Sequence, residues 1–242
     1  MKITELEKKD EIVDEFLTKL VGKFHEYSLK HINNIKKEIN IYDLPFIGRE
    51  KQMQTLLAPS FNDLCIAVMA EVPIKNRGKQ RWIDYWCKYK NSKNKISDFS
   101  IEIKHEYINV KGFFGNKTLL REQTLNSWSE GQEQLDSLKS GAKDFWLNNS
   151  MAKKYRILLI ILPIFEGSEK NPPKFSYENT VLNKSHLELI YNEFNSKNFK
   201  KMNWACLIPL SDSIFDDYMK FQNGSFEKYY GVFFGATVIE NN

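Results

Sequence analysis

The chain reads as an α/β sandwich, a mixed central sheet covered by helices on both faces, with an N-terminal helical extension. Three observations predict it. A two-stranded hairpin runs from Arg81 to Tyr107. The run from Tyr155 to Phe165 is almost purely Ile and Leu, as in a central strand buried on both faces. Stretches with apolar residues at helical spacing stand before, between and after these strands. The resulting order is helix, hairpin, helix, strand, helix, strand.

Of the 242 residues, 42% are hydrophobic and 27% charged, a globular rather than a disordered balance. The predicted division is residues 1–58 as a helical extension packed on the core and 59–242 as the α/β domain. The net charge of +4 permits nucleic-acid binding without arguing for it. Its distribution is uneven: Lys75, Arg77, Lys79 and Arg81 precede the first strand of the hairpin, and Lys88, Lys90, Lys93 and Lys95 surround its turn. A solubilising surface explains such a cluster as well as a binding face does. Cys65, Cys87 and Cys206 are too far apart in sequence for a zinc motif and too few for a disulfide framework, so reduced thiols are expected. Met1 to Glu5 begins a charged helix rather than a signal peptide, and Ile157 to Phe165 is too short to span a bilayer. A soluble cytoplasmic protein is expected.

In chain order, Thr4-Glu5-Leu6-Glu7 has the form of a capping box. The stripe Ile12, Val13, Phe16, Leu17, Leu20, Val21, Phe24 then predicts one long helix, or two in tandem, over residues 5–41. Asp43-Leu44-Pro45 breaks it, and Glu50 to Leu57 adds a short helix. Ser60 to Glu71 is predicted as a further helix, capped by Ser60 or Asp63 and stopped by Pro73, with Glu71 at its C-terminal end. Past the hairpin, Val110 to Thr118 is a loop, and a long helix spans about Arg121 to Asn148 with Leu125, Trp128, Leu135, Leu138, Ala142 and Phe145 inward. Gln132 falls on the same inward arc, so it needs a hydrogen-bonding partner, whereas Gln134 lies on the flank. Glu166 to Lys174 is loop, and Ser185-His186-Leu187-Glu188 is a second capping box. Trp204 to Leu210 is a strand, Asp212 to Lys220 a short helix, and Tyr229 to Ile239 a final strand or pair.

The hairpin carries the chemistry. Trp82 to Tyr89 is strand-compatible throughout, Phe99, Ile101 and Ile103 alternate with Ser100, Glu102 and Lys104, and Lys90 to Lys95 is turn. With Lys93 at the centre of the turn, residues whose numbers sum to 186 face each other, and Asp84 lies opposite Glu102. Lys104 shares the face of Glu102, about 7 Å along the strand. Two facing carboxylates repel, and a hard divalent cation such as Mg²⁺ offsets that charge. An ammonium beside them suits water positioning and charge building on a phosphate.

Asp84, a gap of strand-loop-strand length, then Glu102-Ile103-Lys104 resembles the PD-(D/E)XK nuclease superfamily, whose fold is restriction-endonuclease-like. Ile83 stands where the family's pattern has proline. The resemblance covers roughly residues 60–210 and implies a three-layer sandwich and a metal-dependent nuclease, most often a DNA endonuclease. It implies Mg²⁺, with Mn²⁺ as substitute, bound by Asp84, Glu102 and the main-chain carbonyl of Ile103, with Lys104 orienting the attacking water. Family members often add an acidic residue from a helix ahead of the hairpin, a place Glu71 matches in chain order, and a Gln beside the lysine, matched by Gln132. The fuller Gln-x-x-x-Tyr pattern is absent, because Asp136 holds the tyrosine position. A homodimer is a corollary of cutting both strands. Trp82, Trp86 and Tyr107 are candidates to stack on exposed bases.

Two other readings stand beside this one. A nuclease-like scaffold would bind nucleic acid or protein without cutting, and such scaffolds usually lack a carboxylate or the lysine that are all present here. Alternatively, Asp84, Glu102 and Lys104 form a solvated cross-strand ion set on an unrelated α/β module. Glu106 continues the polar face as a rim carboxylate, and His105 points to the core.

Overall fold

The computed structural model describes residues 4–6, 10–39, 44–47, 50–76, 79–115, 119–141, 152–177, 180–197, 199–210 and 218–241. Its helices are α1 (Glu11–Ile39), α2 (Glu50–Leu64), α3 (Glu122–Gly141) and α4 (Lys184–Asn195). Its strands are β1 (Thr4–Leu6), β2 (Cys65–Asn76), β3 (Lys79–Lys90), β4 (Ile96–His105), β5 (Ile108–Asn109), β6 (Lys153–Ser168), β7 (Trp204–Pro209), β8 (Met219–Lys220) and β9 (Phe226–Asn241). The described strands form one mixed sheet in the order β1-β7-β9-β6-β4-β3-β2, with β5 on β6 and β8 on β9. β4 and β6 are parallel, while the β2–β3, β3–β4 and β6–β9 pairs are antiparallel.

Helices cover both faces. The apolar stripe of α1 is buried from Ile12 to Phe24 and shares one core cluster with α2 and with Tyr85, Cys87, Phe99, Ile101 and Leu159 of the sheet. Phe16 of α1 stacks on Phe99 with ring centroids 4.3 Å apart, a pairing that adds about 0.5–1.5 kcal/mol to the burial of the two rings. On the opposite face, Trp128 and Leu135 of α3 and Leu187, Ile190 and Phe194 of α4 pack with Leu158, Ile160, Leu162, Leu207 and Phe233. The result is an α/β sandwich. β6 lies between β4 and β9, and its residues 157–162 are at most 1% exposed, as its unbroken apolar run predicts.

The hairpin register is the expected one: Tyr85 pairs with Ile101, Trp86 with Ser100 and Cys87 with Phe99. Asn91 shapes the turn by accepting the main-chain N–H groups of Lys93 and Lys95 on Oδ1 at 3.0 and 2.8 Å. Glu15 of α1 pins the tip through Tyr89 Oη (2.9 Å) and Ser92 Oγ (2.8 Å). A helix of one layer thereby fixes the geometry of the strands that carry the polar residues.

Several elements differ from expectation. Residues 60–71 do not form a helix of their own: α2 runs on to Leu64 and the chain then enters β2. The apolar run from Cys65 to Ala70 fits either structure locally, and the long ladder with β3 decides for strand. Thr4 to Leu6 pair with Leu207 to Ala205 as an edge strand, and Asp10 caps α1 instead, accepting Ile12 N–H at 3.1 Å. The cap of α4 is Asn183, ahead of Ser185, with His186 completing the box. β6 continues to Ser168 through the start of the expected loop, and β9 is a single strand. α1 and α2 supply one covering layer, and Thr4 to Leu6 add a strand to the sheet itself. The expected helix over 212–220 falls mostly outside the described residues, and Met219 and Lys220 are in β8; the expected end of the third long helix, 142–148, also lies outside them. No helix among the described residues is long and apolar enough to cross a membrane.

Candidate active site

The site forms where β3 leaves β4. Their ladder ends at Tyr85↔Ile101, one row before Asp84 and Glu102, while β4 stays paired to β6 through His105. Asp84 does not simply face Glu102 across the pair. Its Oδ2 accepts the main-chain N–H of Ile103 at 2.7 Å. The alternation of β3 also breaks here: Tyr85, Cys87 and Tyr89 pack on the α1 and α2 side, whereas Ile83 joins the cluster beneath α3.

Glu102 and Lys104 project from β4 on the α3 side. Lys104 Nζ donates to Glu102 Oε1 at 2.9 Å, with the side chains only 13% and 6% exposed. Removing one partner of an ion pair this buried is costly, because the other charge stays out of reach of bulk water. Burial raises the pKa of Asp84 above the usual carboxylate range; the Ile103 N–H and the Lys104 charge pull it down, and Glu71 pushes it up.

Glu71 reaches this neighbourhood from a strand rather than from a helix end. Ala70↔Tyr85 and Val72↔Ile83 flank it in the β2–β3 ladder, which sets Glu71 opposite Asp84. Its φ of 50° is left-handed, a conformation costly for a side chain with a Cβ. Gln132 is inward, as expected, and 7% exposed, but both ends of its amide are taken by the backbone of Lys200: Nε2 donates to the carbonyl at 2.7 Å and Oε1 accepts the N–H at 2.9 Å. The amide clamps α3 to the segment entering β7 and is spent on that contact. Of the aromatic candidates, Trp82 is 56% exposed, Trp86 packs partly into the core, and Tyr107 donates its hydroxyl to the Ile47 carbonyl at 2.6 Å.

Two residues beyond those expected bear on the α3 face of the sheet. Gly131 lets α3 press onto the sheet: a Cβ there would lie 2.5 Å from Leu158 Cδ1 and 3.2 Å from Lys104 Cγ. Arg156 precedes Leu158, the β6 partner of Glu102, on the same face of the strand and is 3% exposed. It donates to the Leu135 carbonyl at 2.8 Å and to Asn241 Oδ1 at 2.6 Å. A lone arginine heading the apolar run is visible in the sequence, whereas nothing local marks Gly131 as a contact point. A cleft of about 390 Å³ lies along α3 from Glu106, two residues past Lys104, lined also by Glu122, Gln123, Asn126, Ser127 and Glu130. Burial raises the pKa of Glu106, opposed by the Gln123 amide and the Arg121 charge.

Carboxylates from adjacent strands, one of them raised by burial and by a facing glutamate, fit a hard cation with oxygen ligands. Among the described residues no three His, Cys, Asp or Glu side chains gather as a metal-holding group. Asp84 and Glu102 would therefore need main-chain carbonyls, such as that of Ile103, and water to complete a coordination shell. No protein family, curated protein or solved structure matches the chain.

Proposed function

We propose that the protein is a metal-dependent nuclease of restriction-endonuclease-like fold that hydrolyses phosphodiester bonds in DNA. The observation that carries this is the place of Asp84, bonded to the Ile103 N–H between Glu102 and Lys104 and within the field of Lys104, where β3 and β4 separate. Asp84 and Glu102 would hold Mg²⁺ or Mn²⁺, with Glu71 adding negative charge from β2. The cation supplies positive charge against the scissile phosphate. Lys104, beside Glu102, would orient the attacking water and offset charge on the phosphate oxygens. A homodimer would bring two such sites to the two strands of a duplex.

The test is degradation of plasmid DNA, single-stranded DNA and RNA with Mg²⁺ or Mn²⁺, against EDTA and against Lys104→Ala. Metal-dependent cutting lost in the variant supports the proposal. A second reading, a scaffold that binds without cutting, is favoured by the internal pairing of the cluster. Lys104 is paired to Glu102 and Asp84 is engaged by Ile103 N–H, so the polar groups are hydrogen-bonded without a cation. Metal-independent binding with no cutting of any of the three substrates would establish it.

A further inference from the structure

Beyond Tyr85 the β2–β3 pair parts from the rest of the sheet. β4 no longer pairs with β3, yet β2 and β3 continue together through Val72↔Ile83, Pro73↔Trp82, Ile74↔Arg81, Lys75↔Gln80 and Asn76↔Lys79. These pairs make a ribbon about 13 Å long. It starts at Glu71 and Asp84, so whatever it holds is delivered to the candidate site.

The ribbon's sequence is one-sided. Lys75, Lys79 and Arg81 lie in its strands and no Asp or Glu occurs from Val72 to Ile83, in a chain whose net charge is only +4. At its base Trp82 is 56% exposed, which a merely solubilising surface does not require. The major groove of B-DNA, about 12 Å wide, admits a two-stranded ribbon, whereas the deep, narrow major groove of A-form RNA does not.

We propose that the β2–β3 ribbon is a DNA-docking arm that enters a groove of duplex DNA and sets its basic residues against backbone phosphates. This rests on the nuclease reading for the choice of nucleic acid as partner, but it is tested without catalysis. Binding of labelled duplex DNA, of a single strand of the same sequence and of duplex RNA is measured by anisotropy in EDTA over a range of salt. The proteins are wild type and the triple variant Lys75→Gln, Lys79→Gln, Arg81→Gln, with Lys75→Glu as a single-site alternative should the triple variant melt early. The expected result is a preference for duplex DNA, about tenfold or more weaker binding by the variant, and a log–log salt slope shallower by about 2 to 3. Equal binding by variant and wild type, a preference for the single strand or the RNA duplex, or no binding at all overturns the proposal. Ribbon-dependent binding without cutting in Mg²⁺ would leave the arm standing and remove the nuclease reading; cutting with unaltered binding by the variant would do the reverse.

Discussion

Asp84 Oδ2 takes the main-chain N–H of Ile103 at 2.7 Å, so a side chain closes the β3–β4 junction where the ladder has ended. The same carboxylate is raised in pKa by burial. The fold therefore holds a proton on Asp84 more readily than the unfolded chain does, and stability falls as pH rises from the ordinary value of 3.8 through the folded one. Asp84→Asn keeps an acceptor for Ile103 but carries no charge. It is expected to melt above wild type at pH 7, with the gap closing toward pH 4, and, under the proposed nuclease function, to lose about 100-fold or more of the DNA cutting. Melting below wild type at pH 7 would refute the burial account.

Glu71 combines a left-handed backbone with a charge facing Asp84. Glu71→Gly relieves about 1–2 kcal/mol of backbone cost, offset in part by the greater freedom of glycine in the unfolded chain. Glu71→Gln leaves the backbone cost and removes only the charge. Both variants are expected to lower the pKa of Asp84 and so to raise the melting temperature at pH 7, the glycine variant by the larger amount. Carboxyl titration by NMR alongside thermal melts separates the two effects.

Gly131→Ala places a methyl 2.5 Å from the side chain of the fully buried Leu158, which must shift to admit it. Overpacking costs about 1–3 kcal/mol and outweighs the gain of up to about 1 kcal/mol in helix propensity. Because Lys104 lies under the same point, the proposed nuclease activity is expected to fall along with stability. Chemical denaturation and turnover of the variant check both.

Gln132→Ala removes two hydrogen bonds to the Lys200 backbone and takes from that peptide the groups that now satisfy it. A loss of about 1–3 kcal/mol in unfolding free energy is expected, with turnover of the folded protein unchanged. A large fall in kcat without loss of stability would return Gln132 to the catalytic machinery.

Burial holds His105 down to about 4, against the pull of its bond to the Phe46 carbonyl. Between pH 6.5 and about 4 the unfolded chain takes up a proton that the buried ring refuses, so stability present above 6.5 is lost as pH falls. The window removes about 3 kcal/mol at about 1.4 kcal/mol per pH unit. His105→Asn, which does not titrate, is expected to flatten the pH dependence of unfolding across that window.

Local periodicity and side-chain type were enough to read part of the fold. The stripe from Ile12 to Phe24 buries a helix face, the run from Tyr155 to Phe165 makes a central strand, and the Lys90–Lys95 turn sets a register that the structure keeps. Such patterns are legible because each residue's burial follows from its position in a repeat. Tertiary structure alone decided the rest. Residues 65–71 became strand because β3 offered a ladder, and Gln132 found its partner 68 positions away in Lys200. Asp84 turned to Ile103 because the β3–β4 ladder stops one row short of it. In each case the deciding contact lies far along the chain, and the free energy that selects it comes from pairing and packing that no local stretch contains.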